Sequence, residues 1–195
     1  DTTVDITTDA ATGGTGVDTV TVDANVTLTL ATAALDLGEG ADSVTIGADG
    51  AIDGQDLQGG VGADTFTLND GATTTGAIDG GSDADRLDFG TYVTARNIAL
   101  TAAGTDGFDG TEAAVGGGFA DIDVLTGGAA STDVLTGLAA QNALWTLDTA
   151  NVYEELGGNQ ELTFSGVETL AGGGAVADTF RFEAGVSESF TLTGN

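Results

Sequence analysis

The residues in this sequence able to do chemistry are carboxylates, and five of them recur at one kind of junction, between a glycine-rich turn and an alternating apolar run. They are Asp18 in GTGVDTVTV (14–22), Asp42 in GEGADSVTI (38–46), Asp64 in GGVGADTFTL (59–68), Asp85 in GGSDADRLDF (80–89) and Asp178 in GGGAVADTFRF (172–182). The first four are separated by 24, 22 and 21 residues, so they mark a repeat. If the repeats stack as parallel strands, equivalent aspartates lie about 4.8 Å apart. Unit charges at that spacing repel by roughly 1 kcal/mol even in water, and by more at a partly buried turn. Besides loose screening by bulk cations, two things could answer such a column. One is a hard cation such as Ca²⁺, which takes carboxylate and carbonyl oxygens together; the other is hydrogen bonding from the backbone N–H groups of each turn. The absence of histidine and cysteine favours an oxygen-only ion over zinc or copper. Asp83 with Asp85, and Asp121 with Asp123, form D-x-D pairs that could chelate, although so acidic a chain produces such pairs by chance. Glu154-Glu155 reads as a solvated surface pair, and Asn25-Val26-Thr27 as a glycosylation sequon that also arises by chance in a threonine-rich chain.

Composition narrows the chemistry further. Among 195 residues there are 31 acidic side chains, three arginines, and no lysine, histidine, cysteine, methionine or proline, for a net charge of −28. Nucleic acids and anionic membranes need a basic face that this chain lacks. Without histidine or cysteine, the usual nucleophile–base pairs cannot form. A paired-carboxylate glycosidase is allowed by residue type, yet no pair is singled out, and the chain reads as a non-enzyme. Arg86, Arg96 and Arg181 are expected to bridge acidic neighbours. No apolar run approaches the ~20 residues of a membrane span, and no signal peptide is visible. The start at Asp1 suggests a processed product or part of something longer.

The elements that must position the aspartates are short strands. After each marker, apolar residues fall at the second and fourth positions: Val20/Val22, Val44/Ile46, Phe66/Leu68, Leu87/Phe89 and Phe180/Phe182. Further short pieces, 26–30, 35–37, Ile52 and Leu57, lie between glycine and aspartate turns, and GAIDG occurs at both 50–54 and 76–80. Two or three strands per repeat of about 22 residues predict an all-β fold, a parallel, right-handed β-solenoid or β-roll. The expected organisation is one domain, 1–195, with regular coils over 1–90, an irregular or inserted coil over 91–132, and a further repeat over 133–195. DVLTG appears twice, at 123–127 and 133–137, and 138–158 is the one region where a short helix competes. DTTVDITTD and SFTLTGN both read as strands without caps.

GGVGADTFTL resembles the nonapeptide G-G-x-G-x-D-x-U-x of RTX proteins, whose glycine-rich turns bind Ca²⁺ in a parallel β-roll. DVLTGLAAQNALWTLD and TFSGVETLAGGGAVADTF (133–180) resemble a repeat of large secreted bacterial surface proteins with filamentous-haemagglutinin-like or RTX-like solenoids. True RTX arrays repeat every nine residues, whereas these markers recur singly at about 22. The resemblance therefore implies a Ca²⁺ role only residue by residue, at Asp18, Asp42, Asp64, Asp83, Asp85 and Asp178. It implies an extracellular structural module of a surface layer, filament or adhesin stalk, self-associating head to tail or by strand exchange. The alternative is a recognition module binding a glycan or a cell-surface protein through loops such as 104–120.

Overall fold

The computed structural model describes residues 2–6, 11–174, 177–185 and 188–194. Among them the chain is all-β without helix, arranged as a 14-stranded and a 9-stranded sheet in which most pairings are parallel. Scarce lysine, glutamate and glutamine, abundant threonine and valine, and turns built largely from glycine, aspartate and asparagine account for this.

Up to residue 88 each pass of the chain contributes three strands. Val26–Leu30, Leu35–Glu39 and Ser43–Ile46 are followed by Ala51–Gly54, Leu57–Val61 and Thr65–Leu68, and then by Thr73–Thr74, Ile78–Ser82 and Arg86–Asp88. Each strand pairs in parallel with its counterpart one pass earlier: Val44 opposite Val20, Phe66 opposite Val44, Leu87 opposite Phe66. Because equivalent residues stack, the period-2 pattern places apolar positions in a continuous interior containing Ile46, Ile52, Leu57, Phe66, Leu68, Ile78, Leu87 and Phe89. The intervening Thr, Ser and Asp face outward.

An antiparallel meander interrupts the parallel pairing. Asn97–Ala103, Phe108–Glu112 and Val115–Ile122 pair antiparallel in succession, and Val115–Ile122 continues in parallel beside Thr74 and Ile78. Two expectations are corrected beyond it. The 138–158 region forms no helix but a hairpin, Ala143–Leu147 with Asn151–Glu155, which places Leu144 and Thr146 on one face and Ala143, Trp145 and Leu147 in the core. Its alternation is that of a strand, and the interior needed its aromatics. Trp145 stacks on Phe180 at 5.4 Å and meets Tyr153 and Phe164 edge-on, while Tyr153 meets Phe108. Phe182 is the second correction: it lies in the edge strand Thr179–Phe182 and is 55% exposed instead of buried. Within the termini read as strands, Thr2–Ile6 and Thr191–Thr193 are strands, while the remainder of DTTVDITTD (Asp1 and 7–9) and Asn195 lie outside the described residues.

The arginines bridge acids as expected: Arg86 to Asp88, Arg96 to Glu112 and Arg181 to Glu183. The Arg96–Glu112 pair is buried beneath the meander. Arg96 lies 4.1 Å over the Tyr92 ring, and the Tyr92 hydroxyl donates to the Ala72 carbonyl.

Candidate functional site

The parallel register brings Asp18, Asp42, Asp64 and Asp85 into one column, immediately before the strands of the 9-stranded sheet. Their carboxylates are answered by backbone. The N–H of Asp18 donates to Oδ1 of Asp42 at 2.7 Å, that of Asp42 to Oδ1 of Asp64 at 2.7 Å, and that of Asp64 to Oδ1 of Asp85 at 2.8 Å. The N–H of Asp85 continues the series to Oδ2 of Asp123 at 2.9 Å. Sequence reasoning offered hydrogen bonds within each turn; the bonds instead run between passes, because stacking sets each N–H against the carboxylate of the next marker. Every bond has the same polarity, so the column is a directional ladder.

Asp123 is thus a ladder member, which the D-x-D reading did not show, and its twin in DVLTG is a second. Oδ1 of Asp133 accepts the Arg96 N–H at 2.6 Å, and the Asp133 N–H donates to Oε2 of Glu168 at 2.9 Å. This shorter ladder precedes strands of the 14-stranded sheet. The signal for Asp133 was present in the sequence: a glycine five residues upstream, Gly128, as Gly13, Gly59 and Gly80 precede Asp18, Asp64 and Asp85. The structure separates the other candidates. Asp83 is exposed on its turn at φ +78°, donating its N–H to Oδ2 of Asp106. Asp178 sits apart, beside the hairpin strand Ala143–Leu147. Asp121, at φ +49°, accepts the Asp106 N–H.

The second carboxylate oxygen makes the column unusual. Asp42, Asp64 and Asp85 are buried, and Oδ2 of each is sealed from solvent with no hydrogen-bond donor. Burial raises the Asp85 carboxyl from the ordinary carboxylate value to about 7. The Asp64 N–H opposes the shift, and the charges of Asp64, Asp123 and Asp106 add to it. Asp64 is raised in the same way, by burial first, opposed by the Asp42 N–H and reinforced by the charges of Asp42 and Asp83. Burial also raises Asp123 and Asp178.

A Ca²⁺ shell of six to eight oxygens needs several carboxylates converging on one point. Among the described residues no group of three or more acidic side chains is placed to hold a metal ion. What the column offers is one uncommitted, buried oxygen at each of Asp42, Asp64 and Asp85. Comparison with protein-family models, with curated proteins and with solved structures finds no match.

Proposed function

We propose that this chain is an extracellular structural module: a parallel β-solenoid whose passes stack into a stiff rod within a surface layer, filament or adhesin stalk. The observation that carries the reading is the unbroken parallel ladder Thr19–Val22, Ser43–Ile46, Thr65–Leu68, Arg86–Asp88, with a carboxylate-to-backbone bond between successive markers at its start. A stack in which each pass contacts only its neighbours grows by addition and is suited to length, not catalysis. The high negative charge keeps such rods soluble and apart. Self-association, head to tail or by strand exchange, is the mode of assembly this reading carries. The alternative of a recognition loop is less well supported, since much of 104–120 is taken up by the strands Phe108–Glu112 and Val115–Ile122.

Small-angle scattering tests the reading. It expects the pair-distance distribution of an elongated particle of constant cross-section; a compact sphere overturns it. Calcium, the expectation carried by the RTX resemblance, has its own test, because an ion that binds only the folded state raises the melting temperature by mass action. A calcium-dependent rise abolished by EDTA would establish it, and identical melting in EDTA would remove it.

A further inference from the structure

The outward face of the 9-stranded sheet differs in charge from the rest of the molecule. Residues between its core positions point away from the interior, and the strand register lines them up across passes. One row starts at Thr19, Ser43 and Thr65, passes through Arg86 and ends at Arg181, with only valines and threonines between the two arginines. It takes one residue from each strand of the sheet and holds two of the chain's three arginines and none of its 31 acidic residues. The row two residues further along runs Thr21, Thr45, Thr67 and Asp88, with Thr126 and Ser165 beyond. Its one acid is bridged by Arg86 at 2.9 Å. Hydrogen bonds hold these side chains in place: Ser43 Oγ to Thr19 Oγ1 at 3.2 Å, Arg86 Nη2 to Thr126 Oγ1 at 2.6 Å, and Arg181 Nη2 to Thr146 Oγ1 at 2.9 Å. The 14-stranded sheet contrasts with this, since Leu35–Glu39 carries Asp36 and Glu39, and Ala51–Gly54 carries Asp53, on its outer side.

A chain of net charge −28 repels its own copies over most of its surface. A face of hydroxyls and internally paired ions lets a second copy approach without setting carboxylate against carboxylate. We propose that two copies pair laterally through this face, about a two-fold axis that runs along the stacking direction between the two rows. Such an isologous contact sets each row against the other row of the second copy. Thr65 of one copy meets Thr67 of the other, and Arg86 meets Asp88. Arg181 meets Glu183, which follows it by two residues as Asp88 follows Arg86. Both arginine positions are thus answered by acids across the axis, so the charge pattern is complementary to itself. Within one copy these pairs already lie at 2.9 and 3.0 Å, and pairing gathers them into two clusters of alternating sign. Nine strands about 4.8 Å apart, each about 13 Å long, make a plane of about 500 Å² per copy. That is under the roughly 800 Å² that a standard interface buries per partner, which fits a weak, concentration-dependent contact. The contact adds side-by-side packing to the stacked-rod reading and does not depend on growth head to tail.

Sedimentation velocity of the whole chain at about 0.1 M sodium chloride, where the Debye length is about 10 Å, should show a reversible monomer–dimer equilibrium. Arg86→Asp sets like charges across the axis and is expected to weaken the dimer roughly tenfold or more, and adding Asp88→Arg should restore it. Thr45→Glu should weaken it likewise, while Thr27→Glu, on the 14-stranded sheet, should not. Circular dichroism checks that each variant folds. A wild type that stays monomeric at millimolar concentration overturns the proposal whatever the variants do, and binding of uncharged dextran by that monomer would give the face to a glycan instead. A dimer indifferent to both Arg86→Asp and Thr45→Glu also overturns it. Small-angle scattering separates this contact from the rod reading. A lateral dimer keeps the length of the monomer and widens its cross-section, whereas a dimer of doubled length and unchanged cross-section overturns lateral pairing in favour of head-to-tail growth. A compact monomer removes the rod reading and leaves the lateral contact to be decided by the variants.

Discussion

At the scale of single residues, the marker aspartates act through two oxygens with different duties. Oδ1 is an inter-pass acceptor, and truncating Asp64 to alanine strands the buried Asp42 N–H, which costs about 1–3 kcal/mol. Chemical denaturation of Asp64→Ala beside Asp64→Asn separates loss of the acceptor from loss of the charge, the alanine variant being the less stable. Glu112 gives a second expectation. Its carboxylate holds the Arg96 guanidinium at 3.0 Å and the Ala114 N–H, both buried. Glu112→Ala leaves an uncompensated guanidinium, a loss of about 3–5 kcal/mol in the same assay. The aspartate types and intervals were legible in the sequence, as was the association of each with glycines. Their bonding partners were not, because an N–H some 21 to 24 residues away is a neighbour only once strands have stacked.

At the scale of elements, identical peptides took different places. The first GAIDG contributes Ala51–Gly54, paired with Val26–Leu30; the second contributes Ile78–Ser82, paired with Leu57–Val61 on another side of the pass. The two DVLTG segments divide between sheets, Val124–Thr126 beside Arg86–Asp88 and Val134–Thr136 beside Asn97–Ala99. A pentapeptide carries a strand and its inward face, but which neighbour it meets is settled by the length of chain consumed since the last pass. Glycine at the fifth position before a marker has an element-level role: it lets the carboxyl turn inward. Gly59→Ala would set a methyl group against Asp64 and the Gly80 backbone, and a loss of about 1–3 kcal/mol is expected by thermal melting. In the hairpin, Trp145→Ala empties the centre of the aromatic cluster, and a loss of about 3–5 kcal/mol is expected.

At the scale of the whole molecule, charge governs stability. Raised carboxyl values at Asp64, Asp79, Asp85, Asp123 and Asp178 mean that the folded state binds more protons than the unfolded chain. Stability therefore falls as pH rises from about 4, through about 7 for Asp85, and levels above it. The general repulsion of a chain with net charge −28 acts in the same direction and is screened by salt, with a Debye length of about 10 Å at 0.1 M. Melting temperatures measured between pH 5 and 8 at low and high sodium chloride should fall with pH at both. They should fall less at high salt, leaving the part due to the buried column, which bulk ions do not reach.

The sequence by itself determined the all-β class, the spacing of the marker turns and the inward face of each early strand. These depend on side-chain period and turn chemistry, which are local. Only the tertiary structure decided that the marker carboxylates bond the backbone of the neighbouring pass, that Asp123 and Asp133 continue that pattern in separate sheets, and that a hairpin fills 143–155. Those outcomes depend on which strands become neighbours, and pairing across tens of residues is set by the register and the shared core of the folded stack.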